Sequence, residues 1–322
     1  MPTFKRAEYL DRQLAWFAAA VAGREGEVEL LVSDNCSPDD TPDVCERWER
    51  RLQAQGVDAS FGRNATNVGA MRNIVGGIER ARGRYVWTVG DDDAIEPGAL
   101  RFVLDTIERH GDLQLLVLNH GSRHAVTGEL RYERCFETDE DLEALDGRSI
   151  VERFLAHPHA SRWGGLVLTT ALVYRTDAAR RALAAWPEGA ENITLQLFIT
   201  AFCARQGRTI LTKQPYMEMA AGRHFFSEDM MVFFRFRIAE VAEAFVKLTT
   251  IGYSTELCRE KIRNQRKEIR WRRVLGLLRR RPRATLDVLA RHFAASRALR
   301  KPARTVAVGD GPEAAGTVGP QP

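Results

Sequence analysis

"RYVWTVGDDDAIEPG", residues 84–98, is the stretch from which the fold reads most directly. Tyr85–Val89 make an apolar run of strand length, and Asp91, Asp92 and Asp93 follow side by side. Three carboxylates at the mouth of an apolar strand repel one another and need a positive partner. Oxygen-only donors suit a hard divalent cation, Mg²⁺ or Mn²⁺, which keeps open positions for water and substrate phosphates. A competing role is to cap the helix that Pro97 opens. One aspartate would do that, and three exceed the need.

Working outward, strand-like and helix-like segments alternate. Residues 7–23 carry apolar side chains at helical spacing, and 28–33 is a short apolar strand. Residues 41–56 read as a helix, with Thr41 as cap, Pro42 at the first position and Gly56 at the end. A strand at 58–62, a helix at 68–83, the strand at 84–89, a helix opened by Pro97 and a strand at 113–119 follow. This β-α-β-α order predicts an α/β protein with a parallel, doubly wound sheet. Residues 120–147 read as polar and irregular. A helix at 148–156, a strand at 166–175, a helix near 191–206, a strand around "RTILTKQPY" and helices from about 229 complete the pattern. A doubly wound unit ordinarily begins with an interior strand, yet "PTFKRAEYL" (2–10) stands directly after Met1. The expectation is a true start upstream that supplies this strand.

The 322 residues are 44% hydrophobic and 28% charged, a soluble globular balance with room for a large core. No apolar run approaches the roughly 18–20 residues that cross a bilayer, and "MPTFKRAEYL" lacks the apolar stretch of a secretory leader. Five scattered cysteines form no C-x-x-C pair, which argues against a zinc site or disulfide framework and for a cytoplasmic chain. The net charge of +4 hides an asymmetry. Residues 260–304 hold 16 Lys/Arg against three acidic residues, a net of +13, while 1–259 stand at −7.

Ligands of open α/β sheets bind beyond the carboxyl ends of the strands. Four segments fall there: "PTFKRAEYL", "SDNCSPDDT" (33–41), "NATNVGAMRN" (64–73) and "GDDDAIEPG". Asp34 can accept an N–H from a nucleobase edge, or the segment is simply a turn into a helix. Asn67 suits a cap beside a nucleotide, and Gly69 allows close backbone approach. Arg72, with Asn73 beside it on the first turns of a helix, can meet a phosphate or ribose oxygen; alone it reads as a surface residue.

Taken together, and in this order and spacing, these segments resemble the family-2 glycosyltransferases of the GT-A fold. The likeness spans 2–119 and continues more weakly to about 216. It implies a GT-A type doubly wound mixed sheet whose Rossmann-like half, 1–119, takes a nucleotide sugar. An acceptor half at 120–225, a basic helical segment at 226–304 and a disordered tail at 305–322 would follow. By resemblance Thr3 and Arg6 flank the nucleotide pocket, Asp34 meets the base and Arg72 lies near the nucleotide. Asp91–Asp93 form the acidic motif, with Asp93 and Asp91 as Mn²⁺ or Mg²⁺ ligands and Asp92 on ribose or metal. The family often has Asp where Gly90 stands, which leaves the register within the cluster open. The implied reaction is inverting transfer from a nucleoside-diphosphate sugar to a saccharide or lipid-linked saccharide acceptor. The family's usual catalytic base is the Asp of a Glu-Asp pair; in "GAENITLQLF" (189–198) Asn192 replaces it, leaving Glu191 or Glu188. His157, His159 and Trp163 fall where acceptors usually dock, and ordinary packing would also explain them. A nucleotidyltransferase would carry a Gly-rich loop that "PTFKRAEYL" lacks. A catalytically inactive binding module is the other alternative.

The segment "KIRNQRKEIRWRRVLGLLRRRPRATLDVLARHF" (261–293) has three readings: a helical hairpin packed on the acidic body, a face for an anionic membrane, or a nucleic-acid contact. Trp271 and Phe293 are too few for a base-stacking platform. The membrane reading would put the protein on the inner face of a membrane, peripherally.

Overall fold

The computed structural model describes residues 1–157, 163–222, 229–267 and 271–299. His159 and the proposed tail at 305–322 lie outside the described residues.

The first sheet is parallel, in the order β1 (Pro2–Thr3), β2 (Glu29–Asp34), β3 (Asp58–Arg63). Helix α1 (Ala7–Ala20) presents Leu10, Leu14 and Phe17, which recur at helical spacing. Helix α2 (Thr41–Ala54) presents Val44, Trp48 and Leu52. These side chains close over Leu30, Val32 and Ala59 as one buried cluster. Helix α3 (Ala70–Arg80) follows β3 and turns Met71, Val75 and Ile78 inward.

The second sheet runs β4 (Tyr85–Trp87), β9 (Leu172–Arg175), β6 (Leu113–His124), β10 (Arg208–Ala221), β5 (Ala94–Ile95). Strand β7 (Leu130–Tyr132) pairs with β6, and β8 (Leu142–Ala144) with β10. Strands β6 and β10 are parallel; the β4–β9, β9–β6 and β10–β5 pairs are antiparallel. The wholly parallel sheet expected from the alternation therefore holds only for β1–β3, and the whole is mixed, as the family resemblance implied. Helices α4 (Ala99–Arg109), α5 (Arg148–Ala156), α6 (Thr176–Ala185) and α7 (Leu195–Ala204) pack around it. Every residue of α7 is buried, the environment its unbroken apolar character dictates.

Residues 120–147 are irregular only in part. Strand β6 continues through Asn119, His120, Gly121 and Ser122, all buried. A polar run with no alternation hides a strand that is buried on both faces. The strand expected at 166–175 is confined to 172–175, after short 3₁₀ turns at 164–166 and 169–171. Thr41 does not cap α2 but begins it; its hydroxyl donates to Asp39 Oδ1 at 2.7 Å.

From Met230 onward each described element is helical: α8 (Met230–Arg235), a π turn at 236–240, α9 (Val241–Thr250), α10 (Thr255–Lys267), α11 (Trp271–Arg280) and α12 (Pro282–Ala298). Val274, Leu277 and Val288 pack on Met231, Phe234 and Ile238, so this segment is seated on the body.

The two sheets do not pair with each other. Between β2 and β4 lies a cavity of about 390 Å³, lined by Trp16, Phe17, Leu30, Gly77, Val86 and Leu104 among others. The expectation of an absent first strand meets a two-residue β1 whose register, Pro2 opposite Ser33 and Thr3 opposite Asp34, places it at the carboxyl end of β2. The cavity runs back from Met1 along that strand.

Candidate active site

The carboxyl ends of β1, β2, β3 and β4 bring the four expected segments together. Thr3 lies opposite Asp34 in the parallel register. Its hydroxyl donates to Asp91 Oδ2 at 2.8 Å. The Arg6 guanidinium reaches Asp91 Oδ1 at 3.0 Å and also bonds Asp92 Oδ2. Arg6 is therefore the positive partner that the three aspartates require. Asp91 and Asp93 are buried, while Asp92 keeps a quarter of its side chain exposed.

Asp93 turns the other way, accepting from the hydroxyl of Thr170. That hydroxyl in turn accepts from Gly90 N at 2.9 Å. A Cβ at Gly90 would stand 3.1 Å from both Asp93 Oδ2 and Thr170 Oγ1, so glycine suits this position. Burial pushes the Asp93 carboxyl up to about 7, against the Thr170 hydrogen bond, with Asp92 and Asp91 adding to the rise. Burial also raises Asp91, opposed by Arg6 and Thr3. For Arg6 burial works downward, and Asp91 and Asp92 outweigh it to hold the guanidinium above its ordinary value.

Asp34 is 2% exposed. Its Oδ1 accepts from Ser37 N at 3.0 Å, while Oδ2 is buried with no hydrogen bond and only the Arg63 guanidinium at 3.5 Å. An acceptor left open at a strand end is available to a ligand N–H. The loops around it adopt uncommon backbone: Lys5 has φ 55° and Cys36 φ 64°, both left-handed without glycine. Such conformations cost of order 1–3 kcal/mol and cluster at functional sites. Lys5 N is tied to Ser37 Oγ at 2.9 Å, which fixes the two loops to one another.

Asn67 is exposed; its Oδ1 accepts from Asn35 Nδ2 and Gly69 N, both at 2.9 Å. It shapes the loop, and Gly69, at φ 88°, precedes α3 in place of a side-chain cap. Asn73 is buried and bonds both Ser33 Oγ, at 2.7 Å, and Ser33 O, at 2.9 Å. Sequence reading gave Asn73, Asn35 and Thr170 no role at the site. Thr170 had no signal, because "LTTA" reads as strand.

Arg72 and Glu191 meet each other: Arg72 Nε donates to Glu191 Oε1 at 2.7 Å. Both are exposed, and Glu191 ends a 3₁₀ turn at Pro187–Glu191 that also holds Glu188. Asn192 is buried. Its amide donates to Glu240 O and Glu243 Oε2, each at 3.1 Å, and its oxygen accepts from Thr194 N at 2.8 Å. In this chain it is a clamp joining the 191–194 loop to the helical segment. Trp163 is buried against Phe245, and the backbone oxygen of His157 accepts from Lys261 Nζ at 2.8 Å.

The described residues contain no group of three His, Cys, Asp or Glu placed so that it could hold a metal ion. The donor set still fits a hard divalent cation of the open-shell kind, which takes one or two carboxylates and fills its remaining positions with water and phosphate. Asp92 and the Asp91 oxygen facing Arg6 are the carboxylate atoms on the solvent side.

Residues 1–154 match the profile of glycosyl transferase family 2. Over these residues, a little under half of its length, the chain is similar to that family. The chain is 28% identical over 159 residues to the abequosyltransferase RfbV of Salmonella typhimurium, an alignment covering 48% of this chain and 46% of that one. It thus spans about half the length of this curated relative. In three dimensions it is similar to residues 1–349 of S. aureus TarS, with a TM-score of 0.53 and 17% identity over 92% of this chain and 88% of that one. The same protein in complex with UDP-GlcNAc gives a TM-score of 0.51, 16% identity and the same coverage. At this identity the likeness speaks for the fold, a GT-A arrangement with a helical C-terminal part.

Proposed function

We propose that the protein is an inverting glycosyltransferase. It moves a sugar from a nucleoside-diphosphate sugar to an acceptor hydroxyl, in surface-glycan or lipid-linked saccharide assembly. The observation that carries the reading is the convergence of Thr3, Arg6, Asp34 and Asp91–Asp93 at adjoining strand ends. The family match and the nucleotide-sugar complex of TarS support it.

Asp34 receives the nucleobase edge through its open Oδ2, and the strained loops at Lys5 and Cys36 form the walls. Arg6 faces the diphosphate side of the cluster with its charge already ordered by Asp91 and Asp92. In the reaction the acceptor oxygen forms a bond to the anomeric carbon. The bond to the donor oxygen breaks, and its electron pair leaves with the diphosphate. A divalent cation held by Asp91 and Asp92, with Asp93 bonded to Thr170 beside them, would neutralise the charge developing on that diphosphate. The acceptor proton needs a base. Asn192 has none to offer, so the role falls to Glu191, whose pairing with Arg72 ties it to α3. Arg72 meets the donor in the same region.

The test is hydrolysis and transfer across a panel of nucleotide sugars with Mn²⁺. Release of nucleoside diphosphate is expected, and Glu191→Gln should lower kcat by about 10²-fold or more, within the range of general-base contributions, with donor KM within a few-fold. Release of pyrophosphate when a nucleoside triphosphate and a sugar 1-phosphate are supplied would instead indicate a nucleotidyltransferase. Binding without any turnover would indicate an inactive module, the reading that Asn192 favours.

A further inference from the structure

We infer that the outward face of α11 and α12 is a docking surface for an anionic lipid bilayer. The two helices have a clear inside. Val274, Leu277, Val288 and His292 are buried, and His292 bonds Ile238 O at 2.8 Å. Two arginines of the segment are already paired with acids. Arg291 makes paired bonds of 2.7 and 2.8 Å to Glu243, and Arg281 reaches Asp229 at 3.1 Å.

The outside is a different surface. Leu275, Leu286 and Phe293 are 55, 58 and 56% exposed, three of the eight large hydrophobic side chains left open among the described residues. Leu286, Ala290, Phe293 and Arg297 recur at four, three and four residues, one stripe along α12. Arg279, Arg280, Arg283 and Arg297 are exposed and have no acidic partner among the described residues. Asp287 is the lone acid of α11 and α12.

Exposed aliphatic and aromatic side chains are costly in water, and unneutralised arginines beside them repel one another. An anionic bilayer relieves both. Its headgroups pair the guanidinium groups, and the acyl boundary takes Leu275, Leu286 and Phe293 to a depth that a helix lying in the interface reaches. A nucleic acid would use the arginines alone. It would leave the aliphatic stripe wet, and among the described side chains of the two helices Phe293 is the one exposed ring, too few for base stacking. The bilayer is therefore the occupant that accounts for both halves of the surface. Among the described residues no helix is long and apolar enough to cross a membrane. Contact of this kind is lateral and reversible.

The surface lies on a part of the chain separate from the aspartate cluster, and the inference does not rest on the transferase reading. The experiment is co-sedimentation of the full chain with vesicles, without donor or metal. One set is phosphatidylcholine and the other phosphatidylcholine with about a third phosphatidylglycerol. The expected result is binding to the anionic vesicles at least tenfold stronger than to the neutral ones, weakening with salt. The variant L275E/L286E/F293E should reduce it at least tenfold, with an unchanged melting curve because all three side chains are exposed. The variant R279Q/R280Q/R283Q should abolish the preference for the anionic set. Equal or absent binding to the two sets overturns the inference. So does tighter binding to a duplex oligonucleotide than to vesicles, or a triple glutamate variant that binds like the parent.

Discussion

The Arg6 guanidinium stands 3.0 Å from the Asp91 carboxylate, across 85 residues of sequence, and holds Asp92 with the same nitrogen. It answers the electrostatic problem posed by three adjacent aspartates without any added ion. It also places a cation where a diphosphate would arrive. Arg6→Gln is expected to cost about 1–3 kcal/mol, the range for a lost hydrogen bond to a charged group, read from denaturant midpoints. A divalent cation offers the same countercharge, so the loss should shrink in Mn²⁺. Equal losses with and without Mn²⁺ would mean that the cluster holds no ion.

Thr170 is the tie between the acidic cluster and the second sheet, through Asp93 on one side and Gly90 N on the other. Thr170→Val keeps the shape and removes both bonds. The expected cost is again about 1–3 kcal/mol for buried groups left unpaired, with weaker uptake of the nucleotide. Stability within about 0.5 kcal/mol of the parent would show that Asp93 finds another partner at once.

How much of this was legible beforehand differs between the two halves of the chain. The α1, α2 and α3 stripes and the β2, β3 and β4 runs obey simple periods, so the elements and the strand-end site follow from them. Thr3, Arg6, Asp34 and the aspartates were found because chemistry-bearing residues at strand ends stand out against apolar runs. Strand β6 beyond Asn119 was missed because its buried residues are polar and its backbone pairs with β10 and β7, partners far away in sequence. Thr170 was missed for the same reason: its importance lies in what it touches. Asn192 read as a lost base, and only its bonds to Glu240 and Glu243 show the structural task it performs.

His120 provides a pH signature. It is 1% exposed, and burial lowers its pKa from the ordinary 6.5 to about 4. The folded protein keeps the ring neutral while the unfolded chain protonates near 6.5. Its contribution is therefore complete above that pH and is lost as pH falls toward 4, at up to about 1.4 kcal/mol per pH unit. The difference in stability between the parent and His120→Gln, measured from pH 7 to 4, should change by that slope. A constant difference would place the ring in contact with water.

Gly77 lines the cavity between β2 and β4, and a Cβ built there meets nothing within 4 Å. In the middle of α3, Gly77→Ala should stabilise by about 0.5–1 kcal/mol through helix propensity alone. A rise in melting temperature is expected. A fall would show that the cavity is filled by backbone in the folded protein, since a methyl group would then have no room.

The most direct measurement is calorimetric titration of the folded chain with a panel of nucleoside diphosphates and their sugars, in chelator and in Mn²⁺ or Mg²⁺. At least one nucleotide should bind about tenfold or more tightly with the cation, and Asp92→Asn should erase that gain while leaving the fold intact. If no nucleotide is taken up more tightly with either cation, the aspartates do not serve a metal-bridged diphosphate and the central claim is wrong.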